Sequence, residues 1–242
     1  MEFWCKAGYN AHGYQKISLE LRKKGYAWAT ERCIRKLYKD LGLKGETPVF
    51  KTTRPSKVKY GKYPYLLKHK TIRYVNQVWA TDITYLKMPW GMMYFTAVID
   101  IYSRKILSWE LSDNMKPEFC LHVVRKAIAK YGVPSIFNTD QGSTYTCKEF
   151  IKLLEENSIQ ISMDGVGRCR DNIYVERTWR TLKYEWVFLR DYYSVEQLNE
   201  SLGEFVTFFN SMRLHQGLGN MTPDEVYNNG IFSTNEGKNT AA

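Results

Sequence analysis

Three acidic residues sit where structural duty explains them poorly, which makes them candidates for chemistry. Asp82 interrupts the apolar stretch WATDITYL. Aspartate is a poor strand former, and a buried carboxylate needs a partner for its charge. Asp140 follows a short apolar run in NTDQGSTYT, where a strand would give way to a loop, and ligands of open α/β sheets gather at such strand ends. Glu176 lies early in a helical stretch, DNIYVERTW, and three- and four-residue spacing puts Trp179, Arg180 and Lys183 on its face. Each residue also admits a plain role. Asp140 before Gln-Gly suits a turn, Glu176 could pair with Arg180 on a solvated surface, and Asp82 could accept backbone hydrogen bonds. Asp100, in VIDIYS, is a fourth candidate with the same ambiguity.

The elements that must position these residues follow from hydrophobic periodicity. Strands are expected over residues 78–85, 92–100 and 105–111, the first two separated by the turn MPWG. A helix over 117–131 turns Leu121, Val124 and Ile128 inward, and the apolar run 133–138 then leads to Asp140. A helix over 148–156, a strand over 159–162, the loop DGVGRCRDN and two long helices over 173–189 and 195–212 complete the pattern. A meander of three strands followed by alternating helices and strands implies an α/β mixed sheet flanked by helices.

Ahead of it lies a small helical pair. The first helix spans residues 14–24, with Ile17 and Leu21 one turn apart and Gly25 to end it. The second opens with Thr30 as N-cap and runs Ile34, Leu37 and Leu41 along one stripe before Gly42. Arg32, Arg35, Lys36 and Lys39 lie on or near this second helix, which as part of a helix-turn-helix-like module could enter a DNA groove or equally present its cations to water. Domain organisation is expected as a basic module at 1–45, a basic linker at 46–75, a catalytic core at 76–230 and a polar tail at 231–242. Tyr60, Tyr63 and Tyr65 interleave with the linker's cations, an arrangement that could track phosphates and stack on bases or serve as a solvated tether.

The net charge of +10 is unevenly placed. Residues 1–75 hold 18 Lys and Arg against 5 Asp and Glu, whereas residues 76–242 hold 17 against 20. A basic front on a mildly acidic body suits a protein that grips a polyanion with one part and acts with another. A hydrophobic content of 44% suits a buried core, no apolar run is long enough to span a membrane, and the N-terminus lacks a signal-peptide layout. A cytoplasmic protein, nucleoid-associated when on DNA, is the expectation. Cys5, Cys33, Cys120, Cys147 and Cys169 are isolated from one another, so reduced thiols are expected rather than a zinc site or a disulfide framework.

The chain resembles the insertion-sequence DDE transposases of the orfB type, whose catalytic core is shared with retroviral integrases. HGYQKISLELRKKGYAWATERCIRKLYKDLGLKG (residues 12–45) is similar to the family's helical module. NQVWATDITYL, AVIDIYSRKILSWELSD, NTDQGSTYT, DNIYVERTWRTLKYE and FFNSMRLHQGLGNMTPDEVY resemble its successive core motifs. Thirty-five residues separate Asp140 from Glu176 and Lys183 follows seven positions later, both as in the family pattern. The resemblance implies an RNase H-like fold and a site in which Asp82, Asp140 and Glu176 hold two Mg²⁺ ions, with Mn²⁺ able to substitute. It implies DNA cleavage and strand transfer at element ends and target DNA, homo-oligomers on DNA, and DNA contacts from Arg32, Arg35, Lys36, Arg180 and Lys183. The zinc-binding module of the viral integrases has no counterpart here. The similarity begins almost at Met1, whereas family members usually carry residues upstream, so an upstream-frame partner or fused segment is also expected. Two rivals stay open at this point: a catalytically idle DNA-binding remnant, and an RNase H-like nuclease that cuts without joining.

Charge reversal at Arg32, Arg35 and Lys36 is expected to weaken DNA binding and reduce the log–log salt slope by roughly 0.9 for each phosphate no longer neutralised. Equilibrium binding across a salt series checks this, and an unchanged slope would make the second helix a solvated surface.

Overall fold

The computed structural model describes residues 13–43, 63–164 and 172–229. Most of the expected linker, most of the loop DGVGRCRDN and the polar tail lie outside these described residues, as do Cys5 and Cys169. The described residues divide into two compact units.

The first unit contains α1 (Tyr14–Lys23), α2 (Glu31–Asp40) and the segment from Arg177 to Tyr192. Ile17 and Ile34 are buried, and the Ser18 hydroxyl donates to the Ala29 carbonyl at 2.6 Å, fixing the turn between the helices. Thr30 caps α2 by accepting from the Cys33 N–H, as its type and place in the sequence imply. Lys16 pairs with Glu185 at 3.5 Å. Arg32, Arg35, Lys36 and Lys39 are exposed along α2 and line a shallow groove with Thr30 and Cys33.

The second unit is built on a five-stranded sheet in the order β3-β2-β1-β4-β5. Its strands are β1 (Val78–Met88), β2 (Gly91–Asp100), β3 (Ile106–Ser112), β4 (Ile136–Thr139) and β5 (Gln160–Met163). The first three form an antiparallel meander, and β4 and β5 add in parallel on the other side of β1. β1 runs three residues past its expected end because Lys87 takes an outward position and Met88 pairs with Gly91, whose φ of 141° closes the hairpin.

The helices are α3 (Pro117–Tyr131), α4 (Ser143–Thr146), α5 (Lys148–Glu156), α6 (Ile173–Glu185), α7 (Val195–Ser211) and α8 (Pro223–Asn229). One face of the sheet packs Trp79, Ile83, Val98 and Phe137 against Phe119, Val123 and Val124 of α3 and Phe150 and Leu154 of α5. Helix α7 packs near β3, where the Asn210 side chain replaces a strand neighbour by accepting from Ile106 N–H and donating to Ile106 C=O, each at 2.9 Å. The long helix expected to reach residue 189 ends at Glu185 instead. Trp186 is buried in a non-helical conformation and a 3₁₀ turn, Val187–Leu189, follows.

Asp100 is fully buried and serves the fold. It accepts the Asn76 N–H at 2.8 Å on one oxygen, and the Ser103 N–H at 2.8 Å and Ser103 hydroxyl at 2.6 Å on the other. Burial pushes its carboxyl up from the ordinary range, while these hydrogen bonds and the nearby Arg104 charge pull it back. Asn76, with φ of 60°, in turn accepts from the Trp79 indole at 2.9 Å and the Tyr227 hydroxyl at 3.0 Å, joining the entry to β1, the β2–β3 turn and α8. Asp100→Asn would aim an amide N–H₂ at donors, so it is expected to cost about 1–3 kcal/mol in stability. Urea unfolding checks this.

Candidate catalytic site

The parallel pairing of β1 with β4 matches Trp79 to Phe137 and Ala80 to Asn138. Asp82 lies two residues beyond Ala80 within β1, and Asp140 two residues beyond Asn138, just past the end of β4 at Thr139. Consistent with this, both carboxylates act electrostatically on the same three groups, Tyr85, Cys120 and Tyr145, raising the pKa of each. Tyr145 is held well above its usual range, first by complete burial, and Cys120 is pushed up to about 12, also first by burial. These two groups are therefore neutral.

Asp140 is partly buried, and desolvation pushes its carboxyl up; the Gly142 N–H, donating to Oδ1 at 2.8 Å, pulls it partly back. No Lys or Arg among the described residues forms an ion pair with Asp140. The loop that turns it is well tied. Gln141 donates to the Asp164 carbonyl at 2.7 Å, and buried Asn138 donates to the Asp164 carboxylate at 2.8 Å while accepting from the Ser162 hydroxyl at 2.8 Å. Asn138, Ser162 and Asp164 escape a reading of the sequence, because each is explained only by partners across β4 and β5. Their one signal is the interruption of apolar runs by polar residues.

Glu176 is exposed in the first turn of α6, and desolvation alone raises its carboxyl modestly above the ordinary range. Its N–H donates to Asn172 C=O at 3.1 Å. Among the described residues no three His, Cys, Asp or Glu side chains stand close enough to share one metal ion. Asp82 and Asp140 thus share a neighbourhood, and Glu176 does not join them in one cluster. Arg180 is exposed and Lys183 half-buried further along α6, and Arg32, Arg35 and Lys36 lie on α2.

Asp82 and Asp140 offer the oxygen donors that a divalent cation prefers, and Asp140 is desolvated and in no ion pair among the described residues. A site of this kind needs freedom for the Asp140 side chain. A Cβ on Gly142 would stand 2.9 Å from Asp140 Oδ1.

Two models described as "Integrase core domain" match the chain, one over residues 73–169 and one over residues 157–223, and together they cover more than half of it. InsK, assigned as transposase of insertion sequence element IS150 in Escherichia coli K12, is 28% identical over 90% of this chain and 77% of its own length. The transposase InsF of insertion sequence IS3A from the same organism is 29% identical over 64% of this chain and 55% of its own length, so the match spans little more than half of InsF. Among solved structures, the HTLV-2 integrase catalytic core in complex with magnesium is 17% identical with a TM-score of 0.50, covering 63% of this chain and 97% of that one. A chain of a simian T-cell lymphotropic virus intasome in complex with PP2A regulatory subunit B56 gamma is 19% identical with a TM-score of 0.55, covering 88% of this chain and 70% of that one. At such identities these structures establish the fold, the mixed sheet flanked by helices that integrase cores share.

Gly142→Ala is expected to turn the Asp140 carboxylate away and weaken Mg²⁺ binding by roughly tenfold, the usual cost of removing a group that orients a metal ligand. Its melting temperature should change little, since the displaced atoms are the end of one side chain. Calorimetric Mg²⁺ titration beside thermal melts checks this, and unaltered affinity would mean that Asp140 orientation is immaterial to the metal.

Proposed function

We propose a function from one premise: the chain belongs to the insertion-sequence transposases with an integrase-type core. In this reading it cuts DNA at element ends and joins the freed ends to target DNA, with Asp82, Asp140 and Glu176 as its metal-binding carboxylates. The observation that supports the reading is that Asp82 in β1 and a desolvated Asp140 just past the paired β4 act electrostatically on the same three side chains. Two Mg²⁺ ions, replaceable by Mn²⁺, would supply Lewis-acid stabilisation of an in-line displacement at phosphorus.

The chain's own residues do the rest. The Gly142 N–H orients Asp140, and the ties from Gln141 and Asn138 to Asp164 hold the loop end of β4 in place. The apolar layer behind the strands, with Phe137, Phe150 and Tyr145, keeps water from the back of the site. In the first half-reaction water attacks the phosphodiester, the bond to the 3′ oxygen breaks and a 3′-hydroxyl is freed. In the second that hydroxyl attacks a target phosphodiester, so one linkage forms for each one broken. Arg32, Arg35 and Lys36 on α2, and Arg180 and Lys183 on α6, are the cations we assign to DNA phosphates. DNA and further copies of the chain are the partners this reading implies, with a segment from an upstream frame as a further one. None of the described helices is long and apolar enough to cross a membrane, and the reading places the protein in the cytoplasm, on the nucleoid when it holds DNA.

Asp82→Asn, Asp140→Asn and Glu176→Gln keep side-chain shape and delete one charge each. Every one is expected to reduce strand cleavage and joining by more than roughly a hundredfold, with combined variants no worse than singles. Ca²⁺ should support DNA binding without efficient chemistry, because its coordination shell is larger and looser than that of Mg²⁺. The check is an assay of oligonucleotides with element-type ends, scored for both products. Cleavage without joining points to the nuclease, binding without either product points to the idle remnant, and near wild-type rates in any single variant would refute its assignment.

A further inference from the structure

The β2–β3 turn reaches the helix that carries Glu176 through one aromatic stack. The Arg104 guanidinium lies over the Tyr174 ring at 3.2 Å from its centroid, and Tyr174 is the second residue of α6. Arg104 has φ of 66°, a left-handed conformation that is costly for a side chain of its kind. The neighbouring interactions compensate for that cost. Arg104 N–H donates to Asp100 C=O at 2.8 Å, and the Asp100 carboxylate holds the preceding Ser103 through both its N–H and its hydroxyl. A strained residue held by a fully buried anchor presents a flat cation to an aromatic ring, which is a costly arrangement to keep for packing alone.

Tyr174 and Glu176 are two residues apart, so they diverge by about 200° around the helix axis. Seating the ring against Arg104 on one side therefore fixes the rotation of the first turn of α6, and with it the direction in which Glu176 projects. Val175, between them, is fully buried and limits movement along the axis. We infer that Arg104 is a positioning residue for Glu176, acting through its stack on Tyr174, with the Asp100–Ser103 turn as the fixed base. The inference rests on the reading of Glu176 as a metal ligand. It assigns to the SRK segment, and to the aromatic residue two places ahead of the glutamate, a role in metal binding that neither residue type suggests alone.

The test uses the full chain and Mn²⁺ alone, with bound ion counted by electron paramagnetic resonance during titration. Arg104→Asn keeps a residue that tolerates left-handed backbone, Tyr174→Ala removes the ring, Tyr174→Phe keeps it, and Glu176→Gln is the reference. Glu176→Gln, Arg104→Asn and Tyr174→Ala are each expected to weaken the same Mn²⁺ binding step by roughly tenfold or more, and Tyr174→Phe to restore it nearly to the parent value. All titrations are run well below the melting temperature of each variant, so lost stability does not mimic lost binding. If Glu176→Gln weakens Mn²⁺ binding while Arg104→Asn and Tyr174→Ala bind as the parent does, the positioning role is overturned and the ligand reading stands. Should Tyr174→Phe be as damaging as Tyr174→Ala, the stack is not the agent and the inference fails. If Glu176→Gln binds Mn²⁺ as the parent does, the ligand reading itself falls and the inference with it.

Discussion

The placement of two like charges in one neighbourhood, Asp82 within β1 and Asp140 just past the end of the parallel β4, is the constraint on which the rest of the second unit depends. Asp82 and Asp140 gain nothing from each other, since nearby carboxylates repel and desolvation penalises the ionised form of Asp140. A fold can keep such a pair only if register is fixed by something stronger. Here that is the pairing of Val78, Trp79 and Ala80 with Ile136, Phe137 and Asn138, where one residue of slippage would turn every side chain to the other face. Trp79 and Phe137 are completely buried, so slippage would bring two large aromatic side chains out of the core. Burial of each such ring is worth roughly 2–3 kcal/mol, which outweighs repulsion between two partly solvated carboxylates.

The supporting interactions are arranged around that register. Asn76 and Asp100 tie the entry of β1 to the β2–β3 turn and to α8, so the strand bearing Asp82 is held at its beginning. Asn138, Ser162 and Asp164 tie the end of β4 to β5, so the strand leading to Asp140 is held at its end. Both sets use buried polar groups with satisfied partners, which favours one arrangement over nearby alternatives. The first turn of α6 meets the β2–β3 turn through an aromatic stack. That stack lies two residues ahead of the exposed Glu176.

Much of this is legible in the sequence where periodicity is strong. All five strands are marked to within a few residues by apolar runs and the MPWG turn, and Thr30 announces its own helix start. Asp82 and Asp140 stand out as charges in apolar surroundings. Asp100 stands out for the same reason but is a fold residue, because its partners Asn76 and Ser103 become visible only when the turn closes. The stack of Arg104 on Tyr174 joins residues far apart in the chain, which no local pattern encodes. The break of α6 at Trp186 is hidden because the apolar residues Trp186, Val187 and Leu189 continue the hydrophobic pattern through it, and α8 is hidden because its seven residues carry too little periodicity to register. Tertiary burial overrides local propensity in the first case, and short length conceals it in the second.

The most direct test of the central claim is a double-mutant cycle on metal affinity, since sharing of one ion by Asp82 and Asp140 predicts strong coupling between them. Mn²⁺ affinity would be measured for the parent chain, Asp82→Asn, Asp140→Asn and the double variant. The account predicts that either single substitution removes the same tight ion and that the double variant is no weaker than the singles. Losses that simply add, or an Asp82→Asn chain that keeps the ion lost by Asp140→Asn, would contradict it.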